Sequence, residues 1–117
     1  MTHRTDLGSR LFPGARRRFL IANIAAITFC ANAFAAGEET YKAKCAGCHG
    51  PDGSGATVMG KKFKLRDLRS PDVQKQSDAD LHGIIAKGKP PMPAFEKTLE
   101  DAKIQELVAF TRSIATK

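Results

Sequence analysis

The sequence predicts an all-α domain of three to four short helices. Between Gly37 and Lys117 no run alternates apolar and polar residues for long enough to form a half-buried strand. The same stretch carries repeated helix start and stop signals, and towards its end apolar residues recur at three- and four-residue spacing. A chain of 117 residues, 42% of them hydrophobic, allows one small domain at most.

Residues 1–35 read as a removable leader. Arg16-Arg17-Arg18 precedes an apolar run from Phe19 to Cys30 and then the small residues Ala31, Ala33, Ala35 and Ala36, the charged, apolar, small-residue order of a secretory signal peptide. Cleavage is expected near Ala35, leaving 36–117 as the mature domain in the periplasm and discarding Cys30. The rival reading is an uncleaved membrane anchor, since Phe19 to Ala36 spans 18 residues, near the lower limit for a spanning helix. Asn23, Thr28 and Asn32 count against it. Arg16-Arg17-x-Phe19-Leu20 also resembles a twin-arginine export signal, so the route stays open between that and general secretion. The formal net charge of +7 divides at the same place. Five arginines against Asp6 give the leader +4, and fourteen basic against eleven acidic residues give the rest +3. With both signs interleaved and few aromatics, no nucleic-acid surface is expected, and membrane contact is expected only if the leader stays uncleaved.

A first helix is expected from about Glu38 to Cys48, with Glu38 and Glu39 suiting its positive N-terminus and Gly50 beyond its end. Pro51-Asp52-Gly53-Ser54-Gly55 cannot continue it, and the loop runs on towards Ser70. Ser70-Pro71 reads as an N-cap with proline at the first helical position. Ser77-Asp78-Ala79-Asp80 reads as a second cap before Leu81, Ile84 and Ile85 on one face, stopped by Gly88. Thr98 is expected to cap the last helix, where Ile104, Leu107, Val108, Thr111 and Ile114 recur on one stripe. Eighty-two residues in short helices bury little apolar surface, so something else should complete the core.

Cys45-Ala46-Gly47-Cys48-His49 is the strongest signal, and it reads as a site of covalent haem attachment. Two thiols three residues apart share one helix face, so each can add to a vinyl group of one porphyrin, and the next residue, His49, can turn its imidazole to the iron. Three rival chemistries use the same residues. A zinc site of Cys45, Cys48, His49 and His82 lacks a second paired-ligand knuckle. A thioredoxin-like dithiol lacks its βαβ context, and a plain disulfide has poor geometry at this spacing and leaves His49 unexplained.

A second axial ligand is needed, and Met59, His82 and Met92 are the candidates. Met92 lies in Lys89-Pro90-Pro91-Met92-Pro93-Ala94-Phe95, where three prolines exclude helix and stiffen the loop that carries the thioether. Met59, ten residues after His49 in a Gly-rich loop, is expected to pack, and His82 to be solvated, with bis-histidine ligation as the alternative.

From Tyr41 to about Arg112 the sequence resembles the small class I monohaem cytochromes c of bacterial periplasms and photosynthetic lumens. The pentapeptide with Gly50 after it, the loop Pro91-Met92-Pro93-Ala94-Phe95 and the closing stretch Leu107-Val108-Ala109-Phe110-Thr111-Arg112 carry the resemblance. It implies one haem c held by thioethers to Cys45 and Cys48, iron ligated by His49 and Met92, and crossing first and last helices packed through Tyr41 and Phe110. Phe110 stands where many members have tyrosine.

With His and Met on iron no substrate site is open, so the expected function is one-electron transfer and not enzymatic catalysis. A haem subunit of a larger dehydrogenase or oxidase complex is the alternative, and a ligand-binding or peroxidatic haem protein would need Met92 displaced. The carrier is expected to be a monomer, with donor and acceptor proteins docking at the exposed haem edge. Lys61, Lys62, Lys64, Arg66 and Arg69, with Lys87 and Lys89, are candidates for steering an acidic partner, and Arg66 or Arg69 for pairing with a haem propionate.

Overall fold

The first and last helices meet where the sequence supplies its smallest residue. A computed structural model describes residues 34–115, and in it a helix over 34–44 (α1) lies against one over Asp101–Ser113 (α6). At Gly37 a Cβ would run into the backbone carbonyl of Glu106 and sit 3.2 Å from Cβ of Phe110, so only glycine admits this approach. One turn further along α1, Tyr41 stacks against Phe110 with ring centroids 4.8 Å apart and planes tilted by 43°. The resemblance implied this pair. Tyr41, Leu107 and Phe110 form one buried cluster, which Leu68, Leu99 and Ile114 close.

Between these helices run α2 (Ala46–His49), α3 (Val58–Lys62), α4 (Pro71–Gln74) and α5 (Asp78–Lys87). The described residues hold no strand, only an isolated bridge between Lys89 and Met92, so the all-α expectation holds. The segments number six among the described residues because two boundaries fall elsewhere than expected. The first helix does not run unbroken from Glu38 to Cys48: the chain turns at Cys45, whose φ of −115° departs from helical values, and resumes as α2. The loop after Gly55 is not free of helix, because Thr57 caps α3 by accepting from the Gly60 amide at 2.8 Å.

α5 forms where expected. Ser77 accepts from the Asp80 amide while Asp80 accepts from the Ser77 amide at 3.2 Å, a reciprocal capping box. The last helix starts later than expected. Glu100, not Thr98, occupies its N-cap, because the Thr98 hydroxyl turns back to the Phe95 carbonyl at 3.3 Å. Val73, Leu81 and Val108 make a second buried cluster joining α4, α5 and α6. Polar ties hold the same junction. Gln74 donates to the carbonyls of Leu68 and Thr111 at 2.8 and 2.9 Å, and Arg112 donates to the Gln74 carbonyl at 2.6 Å and to Asp78 at 2.9 Å. Residues 1–33 of the expected leader, Cys30 among them, lie outside the described residues, and its last two, Phe34 and Ala35, belong to the first turn of α1.

Candidate functional site

The turn at Cys45 and the short α2 set the orientation of the pentapeptide. The His49 amide donates to the Cys45 carbonyl at 2.9 Å and the Gly50 amide to the Ala46 carbonyl at 2.9 Å, so the segment is one closed helical turn. Two anchors hold its end. Tyr41 Oη donates to the Gly50 carbonyl at 2.7 Å, and Thr57 Oγ1 donates to the Cys48 carbonyl at 2.6 Å. α1 and α3 therefore grip the pentapeptide from both sides through carbonyls that α2 leaves unpaired.

Beside this turn lies an elongated cavity of about 280 Å³. Cys45 and His49 line it, as do Pro90, Pro91 and Met92. Its remaining wall is mostly apolar, from Phe63, Leu65, Leu68, Val73, Leu81, Ile84, Ile85 and Leu107. Met92 comes from a loop tied to itself: its amide donates to the Lys89 carbonyl at 2.8 Å and the Lys89 amide to its own carbonyl at 3.2 Å. Gly88 ends α5 with φ of +75°, and a Cβ there would lie 2.7 Å from the Ala94 amide nitrogen, so the loop folds tightly over this glycine. The Phe95 and Glu96 amides then return to the Ala86 carbonyl at 3.1 and 3.0 Å. The ends of α2 and α5 thus present an imidazole and a thioether to one apolar space.

The electrostatics suit the same chemistry. Burial holds the His49 imidazole below its usual pKa, which keeps it neutral with a lone pair to give. Its Nδ1 is buried without a hydrogen-bond partner among the described residues. Such an atom costs about 1–3 kcal/mol, a cost that a ligand bound by the ring would help to offset. Burial first, and the neighbouring Cys48 second, push the Cys45 thiol up to about 11. Cys48 is exposed at the edge of the turn and is not paired with Cys45. An apolar cavity, a neutral imidazole and two free thiols at the fixed spacing fit a covalently attached haem.

The other sequence candidates lie elsewhere. His82 does not line the cavity. Its Nε2 is 2.7 Å from Asp101 Oδ1, joining α5 to the start of α6. No group of three or more His, Cys, Asp or Glu converges among the described residues, which removes the zinc reading. Met59 sits on α3, 39% exposed, rather than packing inside. Arg69 is held by Asp67 at 2.9 Å and by Asp52 at 3.3 Å, whereas Arg66 lines the cavity. Sequence reasoning missed Phe63, Leu65, Leu68 and Gln76 as wall residues. Their only signal was apolar character in a stretch without periodicity, and for Gln76 there was none.

Comparison with known proteins places the chain among relatives. The family model described as cytochrome c oxidase, cbb3-type, subunit III, matches residues 32–110. The chain is 31% identical over 81 residues to cytochrome c6 of Parathermosynechococcus lividus, covering 69% of this chain and 90% of that protein. It is 30% identical over 103 residues to cytochrome c6 of Pyropia yezoensis, covering 85% and 91%. Among solved structures, the KustC0563 c-type cytochrome superposes with a TM-score of 0.64 at 29% identity, over 68% of this chain and 98% of that one.

Proposed function

This chain belongs to the small monohaem c-type cytochromes, and from that premise we propose that it is a periplasmic carrier whose haem iron sits between His49 and Met92. It carries covalently bound haem c and transfers electrons rather than catalysing a reaction. The observation that carries the finer reading is that His49 and Met92, far apart in sequence, line one mostly apolar cavity together with Cys45. Haem held there supplies one-electron chemistry. The residues do the rest: Cys45 and Cys48 fix the macrocycle, the gripped turn aims His49, and the tied loop keeps the Met92 sulfur in place whichever oxidation state is present.

Redox partners are proposed to dock on α3. Val58 is 84% exposed there, Met59 and Phe63 are each 39% exposed, and Phe63 also lines the cavity. Val58, Lys61 and Lys62 share a helix face at three- and four-residue spacing, and the Lys62 ammonium lies 5.5 Å from the Phe63 ring centroid. An apolar patch flanked by lysines fits a partner with an apolar patch flanked by carboxylates. Among the described residues no helix is long and apolar enough to cross a membrane, and release of the carrier by cleavage near Ala35 is part of this proposal. Two relatives named cytochrome c6 are matched over 90% and 91% of their own length, which supports a stand-alone carrier over a subunit of a larger complex. Intact mass of the purified periplasmic protein reads leader cleavage and covalent haem together, and carbon monoxide tests the sixth position. The expected result is chain 36–117 plus one haem, with a ferrous form that binds no carbon monoxide. A carbon-monoxide complex of the unmodified protein would overturn the His/Met reading.

A further inference from the structure

The cavity wall that holds His49 and Met92 is not electrically neutral. Three cationic side chains line it, Lys64, Arg66 and Lys89, and no carboxylate does. All three are exposed, so they stand at the rim of the apolar space, where an anionic edge of a group bound inside it would meet them. A haem carries two carboxylates on one edge, and the positions of Lys64 and Arg66 mark where that edge belongs. They stand two residues apart on either side of Leu65, and all three line the cavity. Lys64 has φ of +52°, left-handed backbone that a lysine seldom adopts, and such outliers cluster at functional positions. This turn reverses the chain after α3, where the Leu65 amide returns to the Gly60 carbonyl at 2.9 Å.

The ion pairs separate Arg66 from the neighbouring arginine. Arg69 is committed to Asp67 and Asp52. Neither Lys64 nor Arg66 forms an ion pair within 4 Å among the described residues. Arg66 also borders an open polar hollow lined by Asp67, Ser70, Asp72 and Lys75, so its guanidinium has one competing direction. There Asp72 is already met by Lys75 at 2.7 Å, and Asp67 by Arg69.

The geometry points to Arg66, seconded by Lys64, as the anchor of the haem propionates, with the guanidinium fork taking a carboxylate on two nitrogens. This rests on the haem carrier reading above and deepens it by fixing which edge of the ring faces the segment after α3. Arg66 is a positioning residue: it compensates negative charge beside the haem and so favours the ferrous form.

The test is the reduction potential of the intact holoprotein. Arg66→Gln is expected to move the ferric/ferrous equilibrium about threefold to tenfold towards ferric, at 59 mV per tenfold for one electron. Lys64→Gln should move it the same way by less, and Arg66→Lys should restore most of the loss. Arg69→Gln should lower the melting temperature, because it frees Asp67 and Asp52, while leaving the potential where it is. Lys75→Gln, with an exposed side chain, should change neither. An Arg66→Gln potential equal to that of the unmodified protein would overturn the assignment and give Arg66 to the polar hollow. So would an equal shift in Lys75→Gln, which would show only a distant effect of net charge. Covalent haem is read by mass in each variant, so failure of the carrier reading would be recognised separately.

Discussion

The Tyr41 hydroxyl donates a 2.7 Å hydrogen bond to the carbonyl of Gly50, reaching from α1 past the whole haem-attachment turn to the residue that caps it. The phenol is buried, and burial above all, with the charges of Cys45 and Asp52 behind it, raises its pKa, so it stays protonated and keeps the proton it donates. The same ring meets Phe110 on α6. One side chain therefore couples the helix crossing to the aim of His49.

Tyr41→Phe keeps the ring contact and removes the donor, leaving the Gly50 carbonyl only its longer bond from the Gly53 amide at 3.2 Å. We expect a loss of about 0.5–1.5 kcal/mol in unfolding free energy, measured by thermal or denaturant unfolding of the holoprotein. Phe110→Tyr should not compensate, since the lost bond belongs to α1.

Met92→Ala should open the iron to water or carbon monoxide and lower the potential, because a thioether stabilises ferrous iron better than water does. Haem attachment should survive, as Cys45 and Cys48 are untouched. Met59→Ala removes an exposed side chain, and His82→Ala breaks a contact to Asp101 outside the cavity. Both should keep the spectrum and carbon-monoxide resistance of the unmodified protein. If His82→Ala opens the iron and Met92→Ala does not, the bis-histidine alternative replaces this assignment.

Cys45→Ala together with Cys48→Ala should leave little helical circular dichroism. The cavity runs through the interior between α2, α5 and α6, so a haem there supplies apolar surface that these short helices do not supply to one another. A ligand bound only by the folded state stabilises that state, and its loss removes that stabilisation. A well-folded haem-free variant would contradict this.

Acid should unfold the protein from its surface caps. The carboxyl of Asp80 is held below the usual range, first by the Ser77 hydroxyl and then by the Ser77 amide, and that of Asp67 chiefly by the Arg69 side chain. A carboxylate with a depressed folded pKa contributes stability above its unfolded value, about 3.9, and loses it as pH falls through the folded value. Melting temperature should accordingly be flat above about pH 5 and fall below about pH 4. Asp80→Asn should lower it at neutral pH and reduce the acid-dependent part of the fall, which unfolding monitored by circular dichroism across pH checks.

The haem-attachment turn, the methionine loop and α5 were legible in the residues themselves, because each depends on neighbours within a few positions. Two thiols and an imidazole in five residues, a thioether among three prolines, and Ser77 three residues before Asp80 act locally, and tertiary contacts had no reason to override them. The stripe of Ile104, Leu107, Val108 and Thr111 was legible for the same reason, since helical periodicity is a local property. What only the tertiary structure decided depends on partners far along the chain. Thr57 starts a helix because it can reach Cys48, and the first helix breaks at Cys45 because the pentapeptide is held by Tyr41 on one side and Thr57 on the other. Arg66 and Arg69 look alike in sequence, and they part because Asp67 and, seventeen residues away, Asp52 both turn onto Arg69 while Arg66 lines the cavity. Long-range contacts assign such roles through distance and burial, and neither is written in the order of residues.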